Sequence, residues 1–232
     1  MHDGKPVKTA CYRTRTWEAT HQMFYDACLA SGASEAEARR WWAGVRIGGP
    51  KWDVNGNTIH NSLGRVALEA LYAILYGPDQ QRRQEPPSLP EMNRKIQTFE
   101  KKAQFAEQSS REAKEFASRG EIEECGKVVA TCVQDLNLAA DVDKGGTDPV
   151  FYAALKGEFL VDVASELNRR GHPDVALAKY GEAERELEFV LKHQPLEAAN
   201  SIRLTKLQGQ RQGALAKQRM EASPAVPASA DK

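Results

Sequence analysis

Apolar residues recur at intervals of three and four along most of the chain, the spacing that places side chains on one face of an α-helix. Clusters of glycine and proline interrupt this pattern and indicate turns. The pattern predicts a mostly all-α fold, with short helices and glycine-rich turns in the first part of the chain. Longer and more charged helices are predicted after them.

Three helices are predicted in the first part of the chain. The first runs from its N-cap, Thr16, to about Ala30. The second begins at the capping box Ser34-Glu-Ala-Glu37 and ends at Gly48-Gly49-Pro50, and the third begins after Ser62. The apolar positions expected to pack are Trp17, His21, Phe24 and Cys28 in the first helix, Trp41, Trp42 and Val45 in the second, and Leu63, Val66, Ala67, Ala70, Leu71, Ile74 and Leu75 in the third.

The second part is predicted to be almost wholly helical. Its first helix begins at the capping box Ser88-Leu-Pro-Glu91 and ends before Gly120. The other helices are expected at about residues 121–142, 149–169, 173–193 and 196–220.

The composition changes at residues 77–90, where four prolines lie among polar residues. Such a segment is a poor helix and is typical of a linker. We therefore predict a Trp-rich, short-helix segment over residues 1–76, a linker over 77–90 and a helical bundle over 91–220. Residues 221–232 have too few apolar side chains to pack, which predicts a disordered tail.

The segment from Leu160 to Ala183 resembles a tetratricopeptide repeat. The positions that carry the resemblance are Leu160, Val163, Ala164, Leu167, Gly171, Ala176, Tyr180 and Ala183. A less complete form of the same pattern surrounds Gly120. The turns at Gly120 and Gly171 lie 51 residues apart, however, and not the 34 residues of the family. The resemblance implies a tetratricopeptide-like antiparallel helical bundle, with a groove that receives a peptide or helix.

Charge gives little indication of a charged partner. The 32 basic and 32 acidic residues balance to a formal net charge of zero, so no overall field favours nucleic acid or an anionic membrane. The exception is the stretch from Arg203 to Arg219, which has five basic residues and no acidic one. It is interpreted as a solvated helix face, with contact to an acidic partner as the alternative.

The N-terminus lacks the apolar core of a secretory signal, and the longest apolar stretch is too short and too charged to span a bilayer. We therefore expect a cytoplasmic protein with no membrane contact. The four cysteines have neither CxxC spacing nor a neighbouring zinc-ligand pattern, and they are expected to be reduced and mostly buried.

No nucleophile elbow, phosphate-binding loop, dinucleotide fingerprint or metal-binding histidine pair is present in the sequence. We therefore expect no metal and no cofactor, and we assign no reaction. The catalytic candidates are His2 and Asp3, a pair that could position a base, together with His21. Aromatic and basic residues alternate at "RRWW", a pattern that can stack bases, but nucleic-acid binding is not expected because the same residues fit a core.

The stretch "RTWEATHQMFYDACLASGASEAEARRWWAGVRIGGPKW" resembles the C-terminal part of a bacterial and phage domain of unknown function, of the 1353 type. Thr16, Phe24 and the segment from Val45 to Trp52 match that family's helix and glycine-tryptophan signature, and His2-Asp3 matches its His-Asp. The position of the family's helix Asp is His21 here. The resemblance implies a phage or prophage setting; the family's strands before His-Asp would lie upstream of Met1, or have been lost.

These patterns predict a protein-binding adaptor that holds another protein or a peptide, with Arg46, Trp52 and Tyr180 as the binding residues. One alternative is a structural component of a phage-like assembly, in which case homo-oligomers are expected. Another alternative is a hydrolase-like activity centred on His2, Asp3 and His21.

Overall fold

The computed structural model describes residues 15–76, 82–142, 148–194 and 197–222. Within these ranges, 82% of the residues are helical, and the extended pairs are the isolated bridges Trp52–Thr58 and Tyr76–Arg82. The predicted all-α fold is confirmed. No helix in the described ranges has the length and apolar character needed to cross a membrane.

Eight α-helices and one 3-10 turn make up the described chain. The 3-10 turn spans Gly64–Val66 and leads directly into the third α-helix. The helices are α1 Trp17–Ala30, α2 Glu35–Gly48, α3 Ala67–Leu75, α4 Leu89–Arg119, α5 Ile122–Val142, α6 Asp148–Arg169, α7 Pro173–His193 and α8 Glu197–Ala222.

The helix ends follow local signals in the sequence. Ser34 and Glu37 form the predicted capping box at α2, since each side chain bonds the backbone of the other residue. Gly120 and Gly171, at φ +79° and +86°, end α4 and α6 in the left-handed conformation that glycine adopts without strain. Pro173 then begins α7, where its missing N–H costs no helix hydrogen bond.

Two of the predicted apolar faces are correct at His21, Cys28 and Trp42 but each is wrong at one residue. In α1 the buried residues are His21, Tyr25 and Cys28, whereas Phe24 is 39% exposed. In α2, Trp42 is buried and Trp41 is 48% exposed. Adjacent helix positions point about 100° apart, so a core on one side of the helix takes only one residue of each pair.

The chain forms two compact units. The first comprises Met1–Gln104 with Asp143–Phe151, and the second comprises Phe105–Val142 with Tyr152–Lys232. The described part of the predicted linker, residues 82–90, lies within the first unit. This segment is hydrogen-bonded to α2, since Arg39 and Arg40 donate to the carbonyls of Pro86 and Arg83 at 3.1 and 2.9 Å, respectively.

The core of the second unit lies along helical stripes. In α5 the stripe has i, i+4, i+7 and i+11 spacing, and in α7 it covers one full face. Gly157 in α6 permits close packing, because a side-chain carbon there would lie 3.1 Å from Leu187. The buried residues are Cys125, Val129, Cys132 and Leu136 in α5, and Pro173, Ala176, Tyr180, Ala183, Leu187 and Val190 in α7.

Candidate functional site

The Trp-rich segment of the first unit contributes to a buried cluster of charges. Arg46 of α2 forms a two-pronged ion pair with Glu100 of α4, with N–O distances of 2.8 and 3.2 Å, and Lys51 binds the same carboxylate. Arg46 also donates to Asn93 at 3.3 Å. Arg46 and Lys51 are only 4% and 7% exposed. Two nearly buried cations therefore share one partly buried carboxylate.

Aromatic rings surround this ion cluster. The guanidinium carbon of Arg46 lies 4.4 Å from the centre of the Trp17 ring, and the Lys51 nitrogen lies 5.2 Å from it. Both contacts are within cation–π range. His21 meets Trp17 and Trp52 edge to face, with ring centres 5.3 and 6.5 Å apart. The indole N–H of Trp52 donates to the Arg15 carbonyl at 3.2 Å.

His21 is buried on the apolar side of the cluster. It is 4% exposed, and its Nδ1 atom has no hydrogen-bond partner. Burial lowers the pKa of His21, and the positive charges of Arg46 and Lys51 lower it further. His21 is therefore a neutral imidazole at neutral pH.

The same contacts hold Glu100 in its charged form. Burial on its own would raise the pKa of Glu100, but hydrogen bonds from Arg46 and Lys51 and their charges outweigh burial, and the pKa is lowered. The Glu100 carboxylate is thus already paired with two cations, Arg46 and Lys51.

The structure brings together three of the residues that the sequence singled out: His21, Arg46 and Trp52. Tyr180 lies in the second unit, where it is 2% exposed and its hydroxyl is 3.2 Å from the Ser165 hydroxyl. His2 and Asp3 lie outside the described residues. In the described ranges, no group of three or more His, Cys, Asp or Glu side chains is arranged to hold a metal ion.

Sequence reasoning missed Lys51 and Glu100. Glu100 follows Phe99 in the buried stripe that also contains Met92, Ile96 and Ala103. An acidic residue at the edge of such a stripe is a signal for an ion pair, but its partners lie 49 and 54 positions away in the chain. The arrangement is a closed core cluster in which the cations already have a partner.

An open groove lies in the second unit between α5 and α7, with a volume of about 410 Å³. Its apolar wall contains Val133 and Leu138, and Leu138 is 60% exposed. The lining residues are Val129, Ala130, Val133, Gln134, Asn137, Leu138, Asp141, Lys179 and Glu182.

Some of the polar side chains at the rim of this groove already form contacts within the chain. Lys179 binds Glu182 at 2.8 Å, and Lys156 donates to the Asn137 side chain at 2.6 Å. The groove therefore has apolar residues on α5 and a polar rim to which both α5 and α7 contribute. Such a combination can anchor an apolar side chain and orient the backbone beside it.

Comparison with known proteins gives no match among family models, curated proteins or solved structures. The resemblances to a domain of unknown function and to tetratricopeptide repeats therefore stay predictions.

Proposed function

We propose that the protein is a protein-binding adaptor and that the groove between α5 and α7 receives a short peptide or helix. The observation that supports this function is the exposed Leu138 beside Val133 in a groove with a polar rim. An exposed leucine in a concave surface gains most from a partner, because binding removes its apolar area from water.

The lining defines the chemistry of the ligand. Val129, Val133 and Leu138 suit an apolar anchor side chain, and the exposed Asp141 at the end of the groove favours a cation or an N–H group next to it. The preferred ligand is therefore a helix or peptide with an apolar residue about one turn from a basic residue. The tetratricopeptide-like spacing around Gly171 agrees with a peptide-binding role.

The test is to replace Leu138 without disturbing the core. The full-length protein is used to select binders from a random peptide library, and each selected peptide is then measured against purified variants by fluorescence anisotropy. Leu138→Glu is expected to weaken binding at least tenfold, because the charge would have to be buried against the anchor.

Val142→Glu is the matched control, since Val142 lies one turn further along α5, is 89% exposed and is not part of the groove lining. It is expected to leave the dissociation constant within about twofold, because a fully solvated site gains no buried charge. Peptides that bind equally well to wild type and Leu138→Glu would rule out the groove as the binding site.

A further inference from the structure

The basic helix α8 has an acidic counterpart within the chain itself. Arg211 forms an ion pair with Glu184 of α7, and Gln208 donates to the same carboxylate at 3.0 Å. About two turns before Arg211 along α8, Arg203 lies 3.7 Å from Glu158 of α6. The basic stretch therefore faces two carboxylates on the α6–α7 hairpin.

A second set of contacts holds the other end of α8. Lys217 donates to the backbone carbonyl of Asn168 at 2.8 Å, in the last turn of α6. Carbonyls in a last helical turn lack intrahelical partners and attract cations. Gln218 donates to Asp174 in the first turn of α7 at 2.5 Å.

Few apolar residues of α8 are fully buried. Among residues 201–220 of α8, Leu207 and Ala214 are buried, whereas Ile202 and Met220 are 70% and 79% exposed. By comparison, α7 buries six residues over its length. The attachment of α8 thus depends to a large extent on partly exposed charge contacts, which salt or a competing charge weakens.

The spacing of the contacts is that of one helix face. Arg203, Leu207, Arg211, Ala214 and Gln218 follow each other at intervals of four, four, three and four residues. A helix with the same order of cation, apolar residue, cation and small residue would make the same contacts.

We propose that Glu158, Asp174 and Glu184 form an acidic docking face for a basic amphipathic helix of another protein, and that α8 occupies this face in cis as a displaceable competitor. The complementary charge of α8, already seated on the face, identifies the kind of partner. This surface is separate from the α5–α7 groove, so the two proposals are tested independently.

The experiment reverses the charges of α8 in the full-length chain. Arg211→Glu with Lys217→Glu is expected to release α8 and free the acidic face. The probe is a fluorescent synthetic peptide with the wild-type sequence of residues 197–222, followed by anisotropy. We expect this variant to bind the peptide at least tenfold more tightly than wild type, in which α8 competes in cis.

The matched control is Lys206→Glu with Arg219→Glu. It makes the same charge change on the exposed side of the same helix. It should behave like wild type, both in peptide binding and in the hydrogen exchange of the α8 amides. Release of α8 without peptide binding, or unchanged protection of α8 in Arg211→Glu/Lys217→Glu, would overturn the proposal.

Charge-swap rescue separates docking from misfolding. Glu184→Arg combined with Arg211→Glu restores an opposite pair, and we expect it to recover α8 protection relative to Arg211→Glu alone. In wild type, raising the salt from about 0.05 M to about 0.5 M should speed exchange in α8 several-fold more than in α7, because the screening length falls. Equal responses of the two helices would contradict an electrostatic attachment.

Discussion

At the scale of single residues, the cluster around Glu100 contains more positive than negative charge. Arg46 and Lys51 bring two positive charges, and Glu100 brings one negative charge. The Trp17 ring helps to hold both cations, because its face carries negative electrostatic potential. A further positive charge at His21 would lie beside these two cations.

This arrangement predicts a loss of stability in mild acid. The pKa of His21 is lowered in the folded protein, so the unfolded chain binds the extra proton more readily as the pH falls below about 6.5. The charged groups that act on His21 are Arg46, Lys51 and Glu18, and a backbone hydrogen bond with Pro50 opposes the shift without cancelling it. The free energy of unfolding should therefore fall below pH 6.5, at no more than about 1.4 kcal/mol per pH unit from this group.

Urea unfolding at a series of pH values checks this prediction. His21→Phe should remove the loss between about pH 6.5 and 5, while His60→Phe, at an exposed position, should keep it. The loss below about pH 4.5 should remain in both variants, because the lowered pKa values of Glu37, Glu91 and Glu100 stabilise the fold only while these groups are ionised. An unchanged profile in His21→Phe would show that another group controls the mild-acid range.

At the scale of helices, the sequence predicts where a helix begins and ends better than it predicts which side of the helix packs against the core. Capping boxes, left-handed glycines and Pro173 are local signals, and α4, α5, α6, α7 and α8 all begin and end within two residues of the predicted positions. The choice between Trp41 and Trp42 depends on what packs against α2, which no local signal encodes. For the same reason, the buried cluster could be predicted only in part. The sequence singles out Arg46, Trp52 and His21, but Glu100 joins them through a contact distant in sequence.

The two neighbouring tryptophans provide a test of helix facing. Trp42→Ala should lower the free energy of unfolding by about 3–5 kcal/mol, because it leaves a cavity where a ring is 6% exposed. Trp41→Ala should cost less than about 1 kcal/mol, since nearly half of that side chain is already in water. Equal losses in a denaturant titration would mean that both rings pack.

At the scale of the whole molecule, the charges balance although some surfaces are locally basic or acidic. The formal net charge is zero and the isoelectric point is about 7.0, even though α8 is basic and its docking face is acidic. Contact between these two surfaces neutralises them within one chain. Between chains the same complementarity would promote association.

Solubility should therefore be lowest near neutral pH, because the repulsion between copies is weakest there. Precipitation by polyethylene glycol across a pH series measures this. Lys206→Glu with Arg219→Glu, which makes the net charge negative at pH 7, should move the minimum to more acidic pH. A minimum that does not move would indicate that precipitation follows exposed apolar residues such as Val142 and Met220.

The buried cysteines have a consequence for how opening of the chain can be followed. Cys28 lies in the first unit, and Cys125 and Cys132 lie in the second, all as buried thiols outside any disulfide. Burial raises the pKa of Cys125, so its thiolate is scarce as well as inaccessible while the fold is closed. Each unit thus contains at least one buried thiol that an alkylating reagent reaches only when the fold around it opens. The alkylation rates of the separate thiols therefore measure local unfolding in each unit, within one unmodified chain.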